Sequence, residues 1–182
     1  SLNTAIMGSK EASDSLLNSI DRMTNNSVVS MDQMVNAMNK IKLSTGLSND
    51  QLDKCKGSVM KLGEAALLMG EDAELAGFHM SEAFSGLNGD FAVLKENFGI
   101  TREKMIAMGW SGEASDVDGY AQALEKCVEQ NGDLSGVMQT TSGKLAKIQK
   151  DFRTAGRGIG DALKPVIDAL ATAFIKLEEQ FP

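Results

Sequence analysis

The sequence predicts an all-α protein, in which a compact multi-helix module is followed by C-terminal amphipathic helices of the coiled-coil type. The chain has 182 residues, 42% of them apolar and only two of them prolines, so it can bury a substantial core. Its 11 methionines and few aromatic residues are typical of helices packed through Leu, Met and Ala. No stretch alternates apolar and polar residues for five positions between turn signals, so we expect no sheet.

Residues 1–45 are predicted to form an N-terminal helical arm. The apolar spacing over residues 1–24 is helical but sparse, which fits either a weak helix or a partly ordered arm. Four polar residues at 24–27 then predict a break, because all four are poor helix formers. The spacing strengthens over residues 28–43, and Gly46 is placed to end that helix.

Residues 46–140 are predicted to form the compact helical module. Ser48 and Gln51 have the spacing of a capping box, which opens a third helix reaching about residue 85. Small residues repeat along it at steps of three and four: Gly63, Ala66, Gly70, Ala73 and Gly77. They fit two interpretations. They could form one continuous close-packing face, or Gly70 and the acidic pair Glu71 and Asp72 could end one helix and begin another.

Short helices are predicted for the rest of the module, each between a capping residue and a glycine. The predicted caps and ends are Asp90 to Gly99, Thr101 to Gly109, and Ser115 or Asp116 to about Gly132. A further helix, which is basic, is predicted to begin after Thr140 or Thr141.

Residues 141–182 are predicted to begin a rod. Two apolar stripes with alternating steps of three and four are separated by a change of phase near Gly156, Gly158, Gly160 and Pro165, which favours two helices joined by an elbow. The candidate self-association seam consists of Ile167, Leu170, Phe174, Leu177 and Phe181. These side chains would either join copies of the chain or pack back onto its own core.

The charge is unevenly distributed along the chain. Residues 1–140 contain 11 Lys and Arg against 20 Asp and Glu, a balance of −9, whereas residues 141–182 contain 7 against 5, a balance of +2. An acidic body argues against general nucleic-acid binding by the whole chain. The basic residues of the second part form a stripe, which is the candidate site for an anionic partner: Lys144, Lys147, Lys150, Arg153 and Arg157. The same stripe could instead solvate one helix face and pair with the acidic body.

The sequence predicts no catalytic, cofactor or metal site. His79 is the single histidine, which excludes a multi-histidine metal site, and its apolar neighbours predict a packed or half-exposed ring. Cys55 and Cys127 have no Cys or His neighbour at ligand spacing, so we interpret them as structural thiols. No apolar run approaches the roughly 18 residues of a membrane helix.

Several short motifs resemble a known family. They are Gly86-Leu87-Asn88-Gly89-Asp90-Phe91, the stretch Leu94 to Thr101, and Met108-Gly109-Trp110-Ser111-Gly112. Further similarity lies at 46–48, at 69–73, at 140–145 and at 160–165. Together they resemble the N-terminal conserved region of phage and prophage tail tape measure proteins.

This resemblance implies a fragment of a non-enzymatic structural protein that occupies the tail tube and sets tail length. It implies a place in the virion tail, and in the host cytoplasm during assembly. The implied partners are other copies of the chain and tail tube, tail chaperone and baseplate proteins, with no small-molecule substrate or cofactor; contact with DNA is left open. The alternative is a cytoplasmic helical adaptor or signalling bundle, suggested by the Ser- and Asn-rich first 45 residues.

Overall fold

Capping residues divide the chain into short helices, as the sequence predicts. The computed structural model describes residues 10–130 and the single residue 150. The all-α fold class is confirmed, since residues 10–130 contain seven α-helices and one 3₁₀ turn and no strand. The elements are α1 (Lys10–Thr24), α2 (Met31–Thr45), α3 (Asn49–Leu68), α4 (Ala73–Ser81), η1 (Ser85–Asn88), α5 (Ala92–Phe98), α6 (Arg102–Ala107) and α7 (Val117–Gln130).

Two capping boxes set the beginnings of α2 and α3. The Ser48 side chain accepts from the backbone N–H of Gln51, whose side chain accepts from the Ser48 backbone, which confirms the predicted box. The same reciprocal pair occurs at Ser30 and Gln33, where the sequence has the same spacing. Gly46 ends α2 with φ at 71°, a left-handed conformation in which its N–H donates to the Lys42 carbonyl.

The structure decides between the two interpretations of the small-residue repeat. Helix α3 ends at Leu68, Gly70 has φ at 96°, and the Asp72 side chain caps α4 by accepting from the Leu75 N–H. The continuous close-packing face is therefore wrong, because the chain turns at Gly70 and leaves Ala73 exposed. Only Gly63 and Ala66 of the repeat are buried.

Helix α3 lies at the centre of this fold, with α7 and α4 as its most extensive neighbours and α1 and α2 also against it. A Cβ on Gly63 would lie 2.5 Å from the Sδ of the buried Met80, so α3 and α4 approach closely at this point. On the α7 side, Lys61 pairs with both Glu125 and Glu129, and Lys54 pairs with Asp118.

One hydrophobic core runs through the described helices. Leu16 and Ile20 of α1 share it with Met34 and Ile41 of α2 and with residues of every later α-helix. The chain divides into two units, Ser1–Leu134 and Ser135–Pro182, and residues 10–130 belong to the first. The predicted division at residues 45 and 140 stays a prediction.

Three further predicted helix limits agree with the structure. Thr101 caps α6 by accepting from the Lys104 N–H, and Gly99 ends α5 with φ at 65°. Asp116, rather than Ser115, caps α7, since its carboxylate accepts from the Gly119 N–H at 3.0 Å. The predicted helix after Thr140 or Thr141 and the rod at 141–182 lie outside the described residues, apart from residue 150, which is helical.

The cap of the central helix gives a first prediction. Ser48→Ala removes the acceptor of the Gln51 N–H, so the free energy of unfolding should fall by about 1 kcal/mol. Urea denaturation followed by circular dichroism measures this change. Ser15→Ala is the matched control, because Ser15 is exposed within α1; it should be neutral or slightly stabilising. An equal loss in both variants would contradict the capping role.

Candidate functional site

Two of the motif segments, 86–91 and 108–112, meet at one aromatic cluster, formed by Phe84, Phe91, Trp110 and Tyr120. The Tyr120 ring centroid lies 4.9 Å from that of Phe84 and 5.2 Å from that of Trp110, the latter in an edge-on arrangement. Phe91 lies 5.9 Å from Trp110 and 6.4 Å from Tyr120. Aromatic pairs at these distances are attractive beyond the area they bury.

Tyr120 is the centre of this cluster. Its side chain is fully buried, and its hydroxyl donates to the Ala83 carbonyl at 2.8 Å, which ties α7 to the segment that follows α4. Burial raises the pKa of Tyr120 above its usual range, since a phenolate would lose its solvation there. The hydroxyl is therefore a neutral structural donor.

Gly86 lies directly against the aromatic rings. A Cβ at this position would lie 2.5 Å from Cζ of Phe91 and 2.6 Å from the Tyr120 hydroxyl. Real Cβ atoms do not approach rigid rings so closely, so the glycine is required for packing. The first glycine of the Gly-Leu-Asn-Gly motif thus has a structural reason.

The Trp-Ser-Gly turn is held on both sides. The Trp110 indole N–H donates to the Glu113 carbonyl at 3.0 Å, and the Arg102 guanidinium lies 5.7 Å from the ring centroid. The Asp116 carboxylate accepts from the Ser111 backbone N–H at 2.9 Å. Hydrogen bonds from Ser111 and then from Gly119 lower the pKa of Asp116, because they favour its ionised form.

His79 and Glu71 form a second polar contact that the sequence did not predict. His79 is 3% exposed, and its Nδ1 lies 2.6 and 3.0 Å from the two carboxylate oxygens of Glu71. The ring also packs edge-on against Phe98 at 5.3 Å. The pair joins the segment before α4 to that helix. Glu71 lies outside the helix and His79 eight residues later within it, so their spacing gives no sequence signal for the contact.

Both cysteines are buried and free, in accordance with their interpretation as structural thiols. Burial, and then the negative charge of Asp118, raises the pKa of the Cys55 thiol to about 12. Burial also raises the pKa of Cys127, whose Sγ lies 3.8 Å from Sδ of Met105. Both are therefore protonated and unreactive near neutral pH.

The candidate sites of the C-terminal part lie almost entirely outside the described residues. The seam residues Ile167, Leu170, Phe174, Leu177 and Phe181 all lie outside the described residues. Of the basic stripe, Lys144, Lys147, Arg153 and Arg157 also lie outside, and Lys150 is a helical residue of intermediate exposure. Both candidate sites stay predictions.

The structure adds a surface that was not predicted. Leu75 and Phe78 of α4 are 44% and 46% exposed, although the opposite side of this helix is buried through Ala76, His79 and Met80. Both sides of α4 are apolar, and a helix of nine residues is too short for periodicity alone to assign the core-facing side.

Comparisons with protein-family models, with curated proteins and with solved structures find no match for this chain. Within the described helices, none is long and apolar enough to span a membrane. Residues 10–130 also contain no group of three or more His, Cys, Asp or Glu side chains suited to a metal ion. The resemblance to tape measure proteins therefore rests on the motif residues themselves.

The packing at Gly86 gives a second prediction. Gly86→Ala should lower the free energy of unfolding by about 1–3 kcal/mol, because the added methyl group would overlap the Phe91 and Tyr120 side chains. Gly77→Ala is the matched control within a helix. A Cβ at Gly77 meets nothing within 4 Å, so this change should stabilise by about 0.5–1 kcal/mol. Both are measured by urea denaturation; unchanged stability in Gly86→Ala would show that the site has room for a methyl group.

The buried thiols give a third prediction, on pH. The pKa of Cys55 is raised from 9.0 to about 12 on folding, so its contribution to stability is complete below pH 9 and is lost as pH rises toward 12. Unfolding free energies measured across this range should fall with pH. The fall should be less steep in Cys55→Ala, by up to about 1.4 kcal/mol per pH unit. Identical slopes in the two proteins would contradict a perturbed thiol.

Proposed function

We propose that this chain is a non-enzymatic structural component of a phage or prophage tail, a fragment of a tape measure protein. The observation that carries the proposal is the contact between two of the motif segments, 86–91 and 108–112, in one cluster. Phe91 of the first motif packs against Trp110 of the last, and Gly86 lies against Phe91 and Tyr120. Motif residues that pack against one another are expected in a structural module. The motif residues of an enzyme instead direct polar groups into a cleft.

The buried titratable groups support the same proposal. Tyr120 donates to a backbone carbonyl, His79 is held by Glu71, and the two thiols have raised pKa values. A nucleophilic cysteine needs a lowered pKa, and a general base needs access to substrate. These groups therefore serve the fold in this proposal.

The compact module would act as an end piece, and the measuring part would be a continuous helix elsewhere in the parent chain. The longest described helix, α3, has 20 residues and spans only about 30 Å at 1.5 Å per residue. A ruler requires length in proportion to residue number, which an uninterrupted helix provides and a bundle of short helices does not. The rod predicted for 141–182 is where that helical part would begin.

Two serines and a threonine in the Ser- and Asn-rich first 45 residues, the stretch that suggests an adaptor or signalling bundle, have structural roles. Ser30 caps α2, and the Ser27 hydroxyl donates to the Glu64 carboxylate at 2.8 Å. Thr45 donates from its hydroxyl to the Ile41 carbonyl. These polar residues end helices and join them, so they have a structural reason that requires no signalling partner.

Tail length provides the test of this proposal. An in-frame deletion of about 70 residues from the helical part of the parent chain that follows the module should shorten tails by about 100 Å, since each helical residue adds 1.5 Å. Electron microscopy of negatively stained particles measures this change.

The control for the tail experiment is Gly77→Ala in the same parent chain, which should leave tail length unchanged. Mass spectrometry of purified tails should also detect peptides of this chain. Tails of normal length after the deletion, or purified tails that lack the chain, would contradict the proposal. A chain recovered only from the cytoplasmic fraction would support the adaptor alternative.

A further inference from the structure

Helix α4 presents an apolar face that no described residue covers fully. Leu75 and Phe78 lie one turn apart on this face and are each nearly half exposed. The helix itself is firmly seated, because Met80 packs at Gly63 of α3 and His79 is held by Glu71. The exposed Leu75 and Phe78 therefore lie on a well-packed helix and not on a fraying helix end.

Carboxylates flank this apolar pair along the helix. Glu74 lies one turn before Phe78, and Glu82, the C-cap residue, lies one turn after it. The sequence between Lys61 and Lys95 contains six Asp and Glu and no Lys or Arg. The outer face of α4 (Glu74, Leu75, Phe78 and the C-cap residue Glu82) is thus an apolar patch with an acidic border.

This combination defines the chemistry of a partner. Two outer faces of α4 placed against each other would bring their carboxylates together, and such like-charge contacts are unfavourable. A suitable partner offers apolar side chains beside Lys and Arg at helical spacing, so that the patch is buried and the border is paired.

The chain contains a segment with this pattern. Residues 144–157 place Leu145, Ile148 and Phe152 at steps of three and four, beside the basic stripe that begins at Lys144 and Lys147. The stripe carries five cations, whereas the acidic border of α4 carries the carboxylates of Glu74 and Glu82. The charges of the two surfaces are complementary.

We propose that the outer face of α4 in one copy of the chain binds the basic segment 144–157 of a second copy. The contact joins two different surfaces, so it is heterologous, and repetition of it builds a ring or a linear assembly rather than a closed two-fold dimer. The proposal rests on exposure and charge pattern and does not depend on a role in tails.

Charge reversal in the full chain tests this contact. The wild-type chain should self-associate in sedimentation velocity, and added salt should weaken the association, because salt screens the attraction between surface charges. Glu74→Lys with Glu82→Lys should raise the dissociation constant at least about tenfold, and so should Lys147→Glu with Lys150→Glu. A mixture of the two double variants should associate again, since each provides the complement of the other.

Two controls make the result specific. Glu96→Lys with Glu103→Lys changes the net charge equally at exposed positions on other helices, and association should be unchanged. Phe174→Asp removes the other candidate seam and should also leave association unchanged. Circular dichroism verifies that every variant is folded.

Three outcomes would overturn the proposal. The first is a wild-type chain that stays monomeric at about 1 mM, where even weak complexes form. The second is a mixture of the reversed variants that does not associate. The third is association that is lost in Phe174→Asp and kept in the α4 variant. Leu75→Ser with Phe78→Ser provides an independent measurement, because it removes the apolar contact without changing charge and should also weaken association.

Discussion

Helix α3 has close neighbours on two sides, and the rest of the described fold depends on this constraint. At Gly63 the helix has no side chain where Met80 of α4 enters, and at Gly57 a Cβ would lie 3.0 Å from Oε1 of Glu125 of α7. Each interior glycine lowers helix propensity by about 1 kcal/mol. This cost is offset by the burial of apolar side chains, because the close contacts allow α4 and α7 to pack against α3 in one continuous hydrophobic core.

Local signals predicted the helix limits well, because a cap is decided by a few adjacent residues. Ser48, Thr101 and Gly99 each act as the sequence predicts, and the box at Ser30 could have been recognised by the same spacing. The small-residue repeat was less informative. Its spacing fits both a packing face and a break, and Gly70 with its two acidic followers decides for the break through a positive φ and the Asp72 cap.

Contacts between distant segments could not be predicted, since they depend on how the helices pack. Tyr120 and Ala83 are 37 residues apart, and nothing in either stretch indicates that a hydroxyl will meet that carbonyl. The contact between His79 and Glu71 could not be predicted either, because the path of the chain into α4 sets their distance. The aromatic cluster of Phe84, Phe91, Trp110 and Tyr120 likewise became visible only in the structure. The predicted seam and basic stripe lie almost entirely outside the described residues.

The uneven charge of the chain, together with the exposed face of α4, determines which surfaces can associate. A uniformly acidic surface repels other copies of itself. An acidic surface with an apolar centre also repels a like surface, but it can bind a partner that is both basic and apolar. Leu75 and Phe78 provide that centre, between the carboxylates of Glu74 and Glu82. The basic stripe at 144–157 lies in the one part of the sequence with a positive balance. Attraction between unlike surfaces and repulsion between like ones together favour ordered head-to-tail contacts over unspecific aggregation.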